Sequence, residues 1–295
     1  MEDGVLGEAE SAAIPYYRSF ARIAPCRTAG SFGAQPSRRL RPAHFSRPMI
    51  EHFQLKLADS HMLAPSVRHL AFERADGTPF EFTPGQFIQI HFNYDDGKPT
   101  KRSYSVGTPA ESSEVGRLEL AVSFVEGGAA TKLLGNLEHG GTVDASGPYG
   151  RFCLMDDDAN QRYLLIATGT GITPYRAMLP RIERLIAERG TRIALLYGAR
   201  NEQELLYGEE FEAFAAKHPE FTFHACLSRV ARAAPRPNDR RGHVQDALSE
   251  LAPHPEHDIA YLCGNPDMID ATFTLLKELG MPIKHIRREK YVSSR

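Results

Sequence analysis

The sequence predicts two domains, an antiparallel β-barrel followed by an α/β domain built on a doubly wound parallel sheet. Three observations carry that prediction. Between residues 50 and about 155, short runs alternate apolar with polar residues, the period of half-buried strands. Beyond Asp158 the apolar runs become continuous and alternate with helix-like segments, as in a parallel sheet covered on both faces. The 295 residues suffice for two ordinary cores, and 42% hydrophobic with 24% charged residues is the balance of a soluble globular protein.

Residues 1–48 differ in kind from the rest. They hold seven arginines and no lysine, with little periodicity. Four acids in MEDGVLGEAE argue against a transit peptide, and no secretory apolar core follows. A disordered extension is expected there, or an over-long start with Met49 as the true first residue. The expected division is therefore 1–48 extension, 49–157 barrel and 158–295 α/β domain.

In the barrel segment, FTPGQFIQIHF (82–92) sets Phe87, Ile90 and Phe92 among polar residues after a Pro84-Gly85 turn, and RLELAVSFV (117–125) alternates more strictly. YDDGKP, GTPAESSEVG and LEHGGT supply the turns of a small antiparallel barrel. In the α/β segment, RYLLIATG (162–169), TRIALLYGA (191–199), FTFHACLSR (221–229) and DIAYLCG (258–264) read as strands. YRAMLPRIERLIAERG, EQELLYGEEFEAFAAKH, HVQDALSELA and PDMIDATFTLLKELG read as helices, the first expected to kink or restart at Pro180.

Bulk charge excludes several classes. With 35 basic and 37 acidic side chains the net charge is -2, which gives no general pull toward nucleic acid or an anionic membrane. The four cysteines, Cys26, Cys153, Cys226 and Cys263, form no CxxC pair. That argues against zinc, an iron–sulfur cluster or a disulfide framework, and no metal is expected. A reducing compartment, the cytoplasm, is expected.

Two constellations carry chemistry. ATGTGITP (167–174) joins a strand to a helix, and Pro174 suits the first helical turn. Alone it is either a phosphate cradle or a turn that needs flexible residues. Gly169 and Gly171 would let a ligand approach the backbone, where free amides at a helix start attract an anion. Pro174 stands where a third glycine would complete GxGxxG, so nucleotide binding fits better than a Rossmann dehydrogenase. KRSYSVGTP (101–109) groups Arg102, Tyr104 and Ser105, able to pair with a phosphate, stack on a ring system and bond a ring nitrogen. The same residues would suit a plain strand with an exposed arginine. GGAATKLL (127–134) has small residues opening a helix, with Thr131 placed to cap it or to bind phosphate.

In this order, the segments resemble the ferredoxin–NADP reductase family over residues from about 50 to 291. RSYS resembles the family's RxYS flavin motif, GAAT its GxxS pyrophosphate segment, and GTGITP its GTGIAP pyridine-nucleotide loop. LCGNPDMID with KHIRREKY is especially similar to the bacterial ferredoxin/flavodoxin–NADP reductases. The resemblance implies FAD in the barrel, its ring over Tyr104, N5 near Ser105, and its pyrophosphate on Arg102, Gly128 and Thr131, with Val122 also at the flavin. It implies NADP(H) at Gly169, Thr170, Gly171, Thr173, Pro174 and Gly264. Cys263 would touch the nicotinamide, Glu289 would be a proton-linked group, and Tyr291 would cover the second flavin face. Four residues, VSSR, follow that tyrosine, a departure from the family's closing Glu-x-aromatic, so a charged tail stays open as an alternative.

CLSRVARAAPRPNDRRGH (226–243) offers Ser228, Arg229, Arg232, Arg240 and Arg241. In the family a Ser-Arg pair here binds the 2′-phosphate of NADP, and arginine forks suit that dianion. The expected partner is an acidic ferredoxin or flavodoxin, steered to the flavin by Lys98/Lys101 and Arg287/Arg288/Lys290, with the protein acting as a monomer. Two alternatives stand beside this reading: an NAD(P)H–flavin reductase or oxygenase reductase component, and a non-enzymatic nucleotide-binding regulatory module.

Overall fold

The computed structural model describes residues 50–110, 114–155 and 158–291. The extension expected over 1–48 and the VSSR tail lie outside these residues.

The N-terminal lobe is built from β1 (Glu51–Ala64), β2 (Val67–Arg74), β3 (Phe80–Glu81), β4 (Phe87–Asn93), β5 (Pro99–Ser105), β6 (Glu114–Val115), β7 (Leu118–Ser123), helix α1 (Ala129–Gly135) and β8 (Thr142–Tyr149). Six strands form one antiparallel sheet in the order β5-β4-β8-β1-β2-β7, and β3 pairs with β6. The edge strands β5 and β7 approach each other, so the sheet curls on itself. Its inner face carries Leu55, Leu57, Leu70, Phe72, Leu118, Leu120 and Val143, all buried. In β4 the buried pair is Ile88 and Ile90. Phe87 lies on the other face, stacked on Tyr149 at 5.6 Å, so the expected alternation of Phe87 with Ile90 was one residue out of phase.

The C-terminal lobe runs β9 (Arg162–Thr168), α2 (Thr173–Arg189), β10 (Arg192–Ala199), α3 (Gly208–Lys217), β11 (Phe221–Leu227), β12 (Arg240–Arg241), α4 (Val244–Glu250), β13 (Asp258–Gly264), α5 (Pro266–Glu278) and β14 (Ile286–Lys290). All its strands pair in parallel in the order β12-β11-β10-β9-β13-β14. Alternate side chains fill the two faces. Leu165, Ala167, Leu195, Tyr197 and Tyr261 pack under α2 and α3, and Leu164, Ile166, Leu196 and Leu262 under α4 and α5. Ala64, Val67, Ala121 and Phe152 of the first lobe join the core under α2, so apolar burial ties the lobes together.

Helix α2 continues through Pro180 without restarting, and a second expectation fails outright. The proline forfeits one backbone bond, a cost of about 3 kcal/mol, but Ala177, Met178, Leu179, Ile182 and Leu185 around it are all buried and hold the helix. The single helix expected over EQELLYGEEFEAFAAKH is instead a short 3-10 turn over Glu202–Glu204 followed by α3. Tyr207, at φ 56 in the left-handed region, separates them.

Candidate functional site

The chain extends the sheet from β9 through β10, β11 and β12 on one side, then crosses back to β13 and β14 on the other. Ligand crevices in open α/β sheets lie at this reversal, outside the C-terminal strand ends. A cavity of about 870 Å³ occupies that place, lined by Thr168–Thr170, Gly198–Arg200, Ser228, Gly242–Asp246, Gly264 and Asn265. A second, of about 530 Å³, opens beside β5 and is lined by Lys101–Ser105, Gly128–Thr131, Thr173 and Glu289. Ser123, Thr170 and Tyr291 line both, so the cavities adjoin.

The pleat of β5 leaves Thr100, Arg102 and Tyr104 half-buried while Lys101 and Ser103 are exposed. Arg102 donates to Thr100 Oγ1 (3.2 Å), the Lys101 carbonyl (2.9 Å) and the Tyr94 hydroxyl (3.0 Å). It pairs with no carboxylate among the described residues, which leaves its charge for an anion. Tyr104 is pushed up to about 12, chiefly by burial, with the Arg102 charge opposing. The Val122 side chain is buried in the barrel core and turned from the cavity that its neighbours Ala121 and Ser123 line. Strand alternation is the reason. Gly128 is the N-cap of α1 without a side-chain cap, and Thr131 accepts from the Val125 amide at 2.9 Å, so it braces the loop rather than capping the helix.

The GTGITP loop begins as a 3-10 turn over Gly169–Ile172 and passes directly into α2, with Pro174 in the first turn. Gly169, at φ +54, has open space where a Cβ would project. At Gly171 an added Cβ would lie 2.3 Å from the Cys263 carbonyl oxygen. That glycine admits the close approach of β13 and does not open the backbone to a ligand, contrary to expectation. Thr173 borders the smaller cavity, but its hydroxyl is buried and has no partner among the described residues. Arg102, free of any carboxylate among the described residues, and the open Gly169 fit a polar ligand spanning the two cavities.

Parallel pairing of β13 with β14 sets Cys263 opposite Glu289. Glu289 accepts from Ser105 Oγ at 3.3 Å, and burial raises its carboxyl from 4.5 to about 7, with the Ser105 bond opposing. The Tyr291 hydroxyl makes a short hydrogen bond to Ser105 Oγ, and the Tyr291 amide donates to the Gly264 carbonyl at 2.8 Å. Cys263 is fully buried, lines neither cavity, and reaches the Tyr291 hydroxyl; burial holds its thiol well above its ordinary value. Thus Ser105, Cys263, Glu289 and Tyr291, distant in sequence, meet at the junction.

The basic loop divides. Ser228 lines the larger cavity and donates to the Ala199 carbonyl at 3.2 Å. Arg229 is exposed near it but is not on its wall. Arg232 is buried against Glu212 (2.7 Å), Asp239 (3.5 Å) and Glu202 (3.6 Å), and Arg240 pairs with Glu250 at 2.9 Å. These two serve the loop, not a phosphate. Sequence reasoning missed Arg200, which lines the larger cavity and pairs with Glu204 at 2.8 Å. Its place at the C-terminal end of a parallel strand was the signal. It also missed Asn265, whose side chain caps α5 through the Asp267 and Met268 amides.

The fold and the paired cavities define a two-lobed reductase class with one dinucleotide site per lobe. Residues 54–153 match the oxidoreductase FAD-binding domain and residues 165–273 the oxidoreductase NAD-binding domain. The chain is 37% identical over 253 residues to ferredoxin–NADP reductase B of Sorangium cellulosum (strain So ce56), covering 82% of this chain and 98% of that protein. The chain belongs to the ferredoxin–NADP reductase family. It is also 34% identical to the phenol 2-monooxygenase reductase component DmpP of Pseudomonas sp. (strain CF600), over 79% of this chain and 63% of that one. Among solved structures it is similar to the Amycolatopsis cytochrome P450 reductase GcoB, at TM-score 0.71 and 29% identity, covering 83% of this chain and 71% of that one. A ferredoxin NADP+ reductase from Neisseria gonorrhoeae with bound FAD and NADP shares the fold at TM-score 0.68 and 20% identity, covering 82% and 98%.

Proposed function

We propose that this flavoenzyme transfers electrons between NADP(H) and an acidic ferredoxin or flavodoxin, acting as a cytoplasmic monomer with lobes divided near residues 157 and 158. The adjoining cavities, with Ser105, Glu289 and Tyr291 at their junction, carry the reading. When bound, FAD takes an electron pair from a reduced nicotinamide as hydride and passes electrons singly to a carrier.

The residues divide the work. Arg102, Gly128 and Thr131 would hold the FAD pyrophosphate, in a cavity that Thr173 also borders. Tyr104 offers one aromatic face and Tyr291 the other. Ser105 donates to Glu289, whose carboxyl near 7 holds a proton at the junction at neutral pH. Buried Cys263 supports Tyr291 from beneath. Thr168–Thr170 and the Gly264 backbone would take the NADP pyrophosphate, while Ser228 and Arg229, joined by Arg200, whose carbonyl accepts from the Arg229 amide at 3.0 Å, would favour the 2′-phosphate of NADPH over NADH. Lys101 and Lys290 line the flavin cavity; Lys290 is paired with Asp270 at 2.7 Å, which leaves Lys101 to attract the carrier.

A second reading, the reductase component of an oxygenase, is favoured by the 34% identity to the phenol 2-monooxygenase component. One observation separates flavoenzyme from binding module: the purified protein should be yellow and bleach under anaerobic NADPH. Reduced carriers then separate the two enzyme readings, because an isolated ferredoxin or flavodoxin must accept the electrons. Protein that stays colourless after FAD addition, or yellow under NADPH, overturns the proposal.

A further inference from the structure

We infer that Arg176 is a positioning residue that sets the alignment between the two cavities; the inference rests on the function proposed above. Arg176 lies one turn beyond Thr173 on α2, and its side chain is 14% exposed. Its Nη1 donates to the Gly107 carbonyl at 2.7 Å and makes a short ion pair with Glu119 of β7, while Nε donates to Glu210 of α3 at 2.7 Å. One guanidinium therefore ties the helix that carries the nucleotide loop to two elements of the β-lobe.

Position gives this tie its consequence. Gly107 is two residues beyond Ser105 and bonds the Glu119 carbonyl through its own amide at 2.7 Å. An added Cβ at Gly107 would meet Thr173 Cγ2 at 2.7 Å, so the loop behind Ser105 already touches the start of α2. Arg176 fastens that contact from the other side. Around it the junction is over-determined: the guanidinium lies 4.7 Å over the Tyr207 ring, and the Tyr207 hydroxyl lies 3.0 Å from His69 Nδ1 of β2. Tyr207 keeps a left-handed backbone at φ 56, which a non-glycine residue holds only where its surroundings fix it. Ser105 faces the smaller cavity and Thr170 both, so the spacing that hydride must cross is set by how α2 sits against the Ser105–Gly107 loop. A displacement of about 1 Å between reacting groups can cost roughly 100-fold in rate without weakening binding.

The test compares wild type, Arg176→Lys and Arg176→Leu with Arg162→Lys, which disturbs the Arg162–Asp258 ion pair at the far end of β9. Each protein is measured for melting temperature, FAD dissociation constant, NADP+ affinity, the long-wavelength charge-transfer absorbance formed with NADP(H), and the single-turnover rate of flavin reduction. Arg176→Leu should reduce its flavin about tenfold or more slowly, with a weakened charge-transfer band and both affinities within about twofold of wild type. Arg176→Lys should recover part of the rate, and Arg162→Lys should lower the melting temperature alone. Should Arg176→Leu fail to fold, the same split in Arg176→Lys decides. A rate loss that only follows melting temperature or FAD loss, or no change of rate and band in either Arg176 variant, overturns the inference. Wild-type flavin that NADPH leaves oxidised overturns the proposed function and this inference with it.

Discussion

Replacing Glu289 with glutamine tests whether the junction carboxyl holds a proton near neutrality. Glu289 is half-buried, accepts one hydrogen bond from Ser105, and pairs with no cation among the described residues. Burial moves it from 4.5 to about 7. At about 1.36 kcal/mol for each pH unit, that interval is at most about 3 kcal/mol. The pKa is higher in the folded state than in the unfolded one, so the folded protein binds the proton more tightly. The stabilisation is fully present below pH 4.5 and is lost as pH rises through about 7. Glutamine cannot titrate. Wild-type stability relative to Glu289→Gln should therefore fall between about pH 5 and 7 and level off above, by up to roughly 6–12 °C in Tm. The subtraction is needed because His69, lowered to about 4 chiefly by burial, imposes the opposite slope below its ordinary value of 6.5. Thermal melts of both proteins across that range provide the assay. A Tm difference independent of pH would refute the buried-proton reasoning.

Other variants test separate parts of the site. Arg102→Ala should weaken FAD binding by about 1.5–3 kcal/mol, roughly 10- to 150-fold, read from flavin release on dilution. Gly171→Ala drives a Cβ against the Cys263 carbonyl and should cost about 1–3 kcal/mol of stability, with weaker NADP+ binding by calorimetry. Wild type should prefer NADPH in kcat/KM, and Arg229→Ala or Arg200→Ala should erode that preference while leaving NADH turnover near wild type. For the carrier, Lys98 and Arg288 are poorer reversal targets than the sequence suggested, because Lys98 pairs with Asp96 and Arg288 covers Phe273. Lys290 is likewise paired, with Asp270 at 2.7 Å, so Lys101→Glu alone should cut carrier reduction at low salt and less near 1 M, where the Debye length is about 3 Å, with ferricyanide reduction changed far less.

What the sequence made legible was local. The apolar runs of β9, β10, β11 and β13 and the alternation of β7 each bury a face, and burial writes that pattern directly into residue choice. RSYS and GTGITP stand out in the sequence because the roles expected of them are concentrated in a few consecutive residues. Missed features depend on partners distant in the chain. IRREK looks nothing like a strand, yet pairing with β13 makes β14 one. Arg232 reads as a phosphate ligand until Glu202, Glu212 and Asp239 surround it. Val122 sits in a correctly expected strand, but alternation carries its side chain away from the cavity its neighbours line.

The charged β14 is a strand that propensity alone would not choose. It is an edge strand, and Arg287, Arg288, Glu289 and Lys290 discourage another chain from pairing there. Only Ile286 of the strand is buried, so register must come from the ladder with β13 and from the Tyr291 amide bonded to the Gly264 carbonyl. Were the register to slip by one residue, Glu289 would turn from the cavity and Lys290 would face Ser105. A cation there would replace the carboxyl that burial keeps near 7 and would remove the acceptor of the Ser105 hydroxyl. The terminal contact between Tyr291 and Gly264 therefore acts on Glu289 two residues away, and the same backbone bond that closes the sheet places the aromatic ring between the cavities.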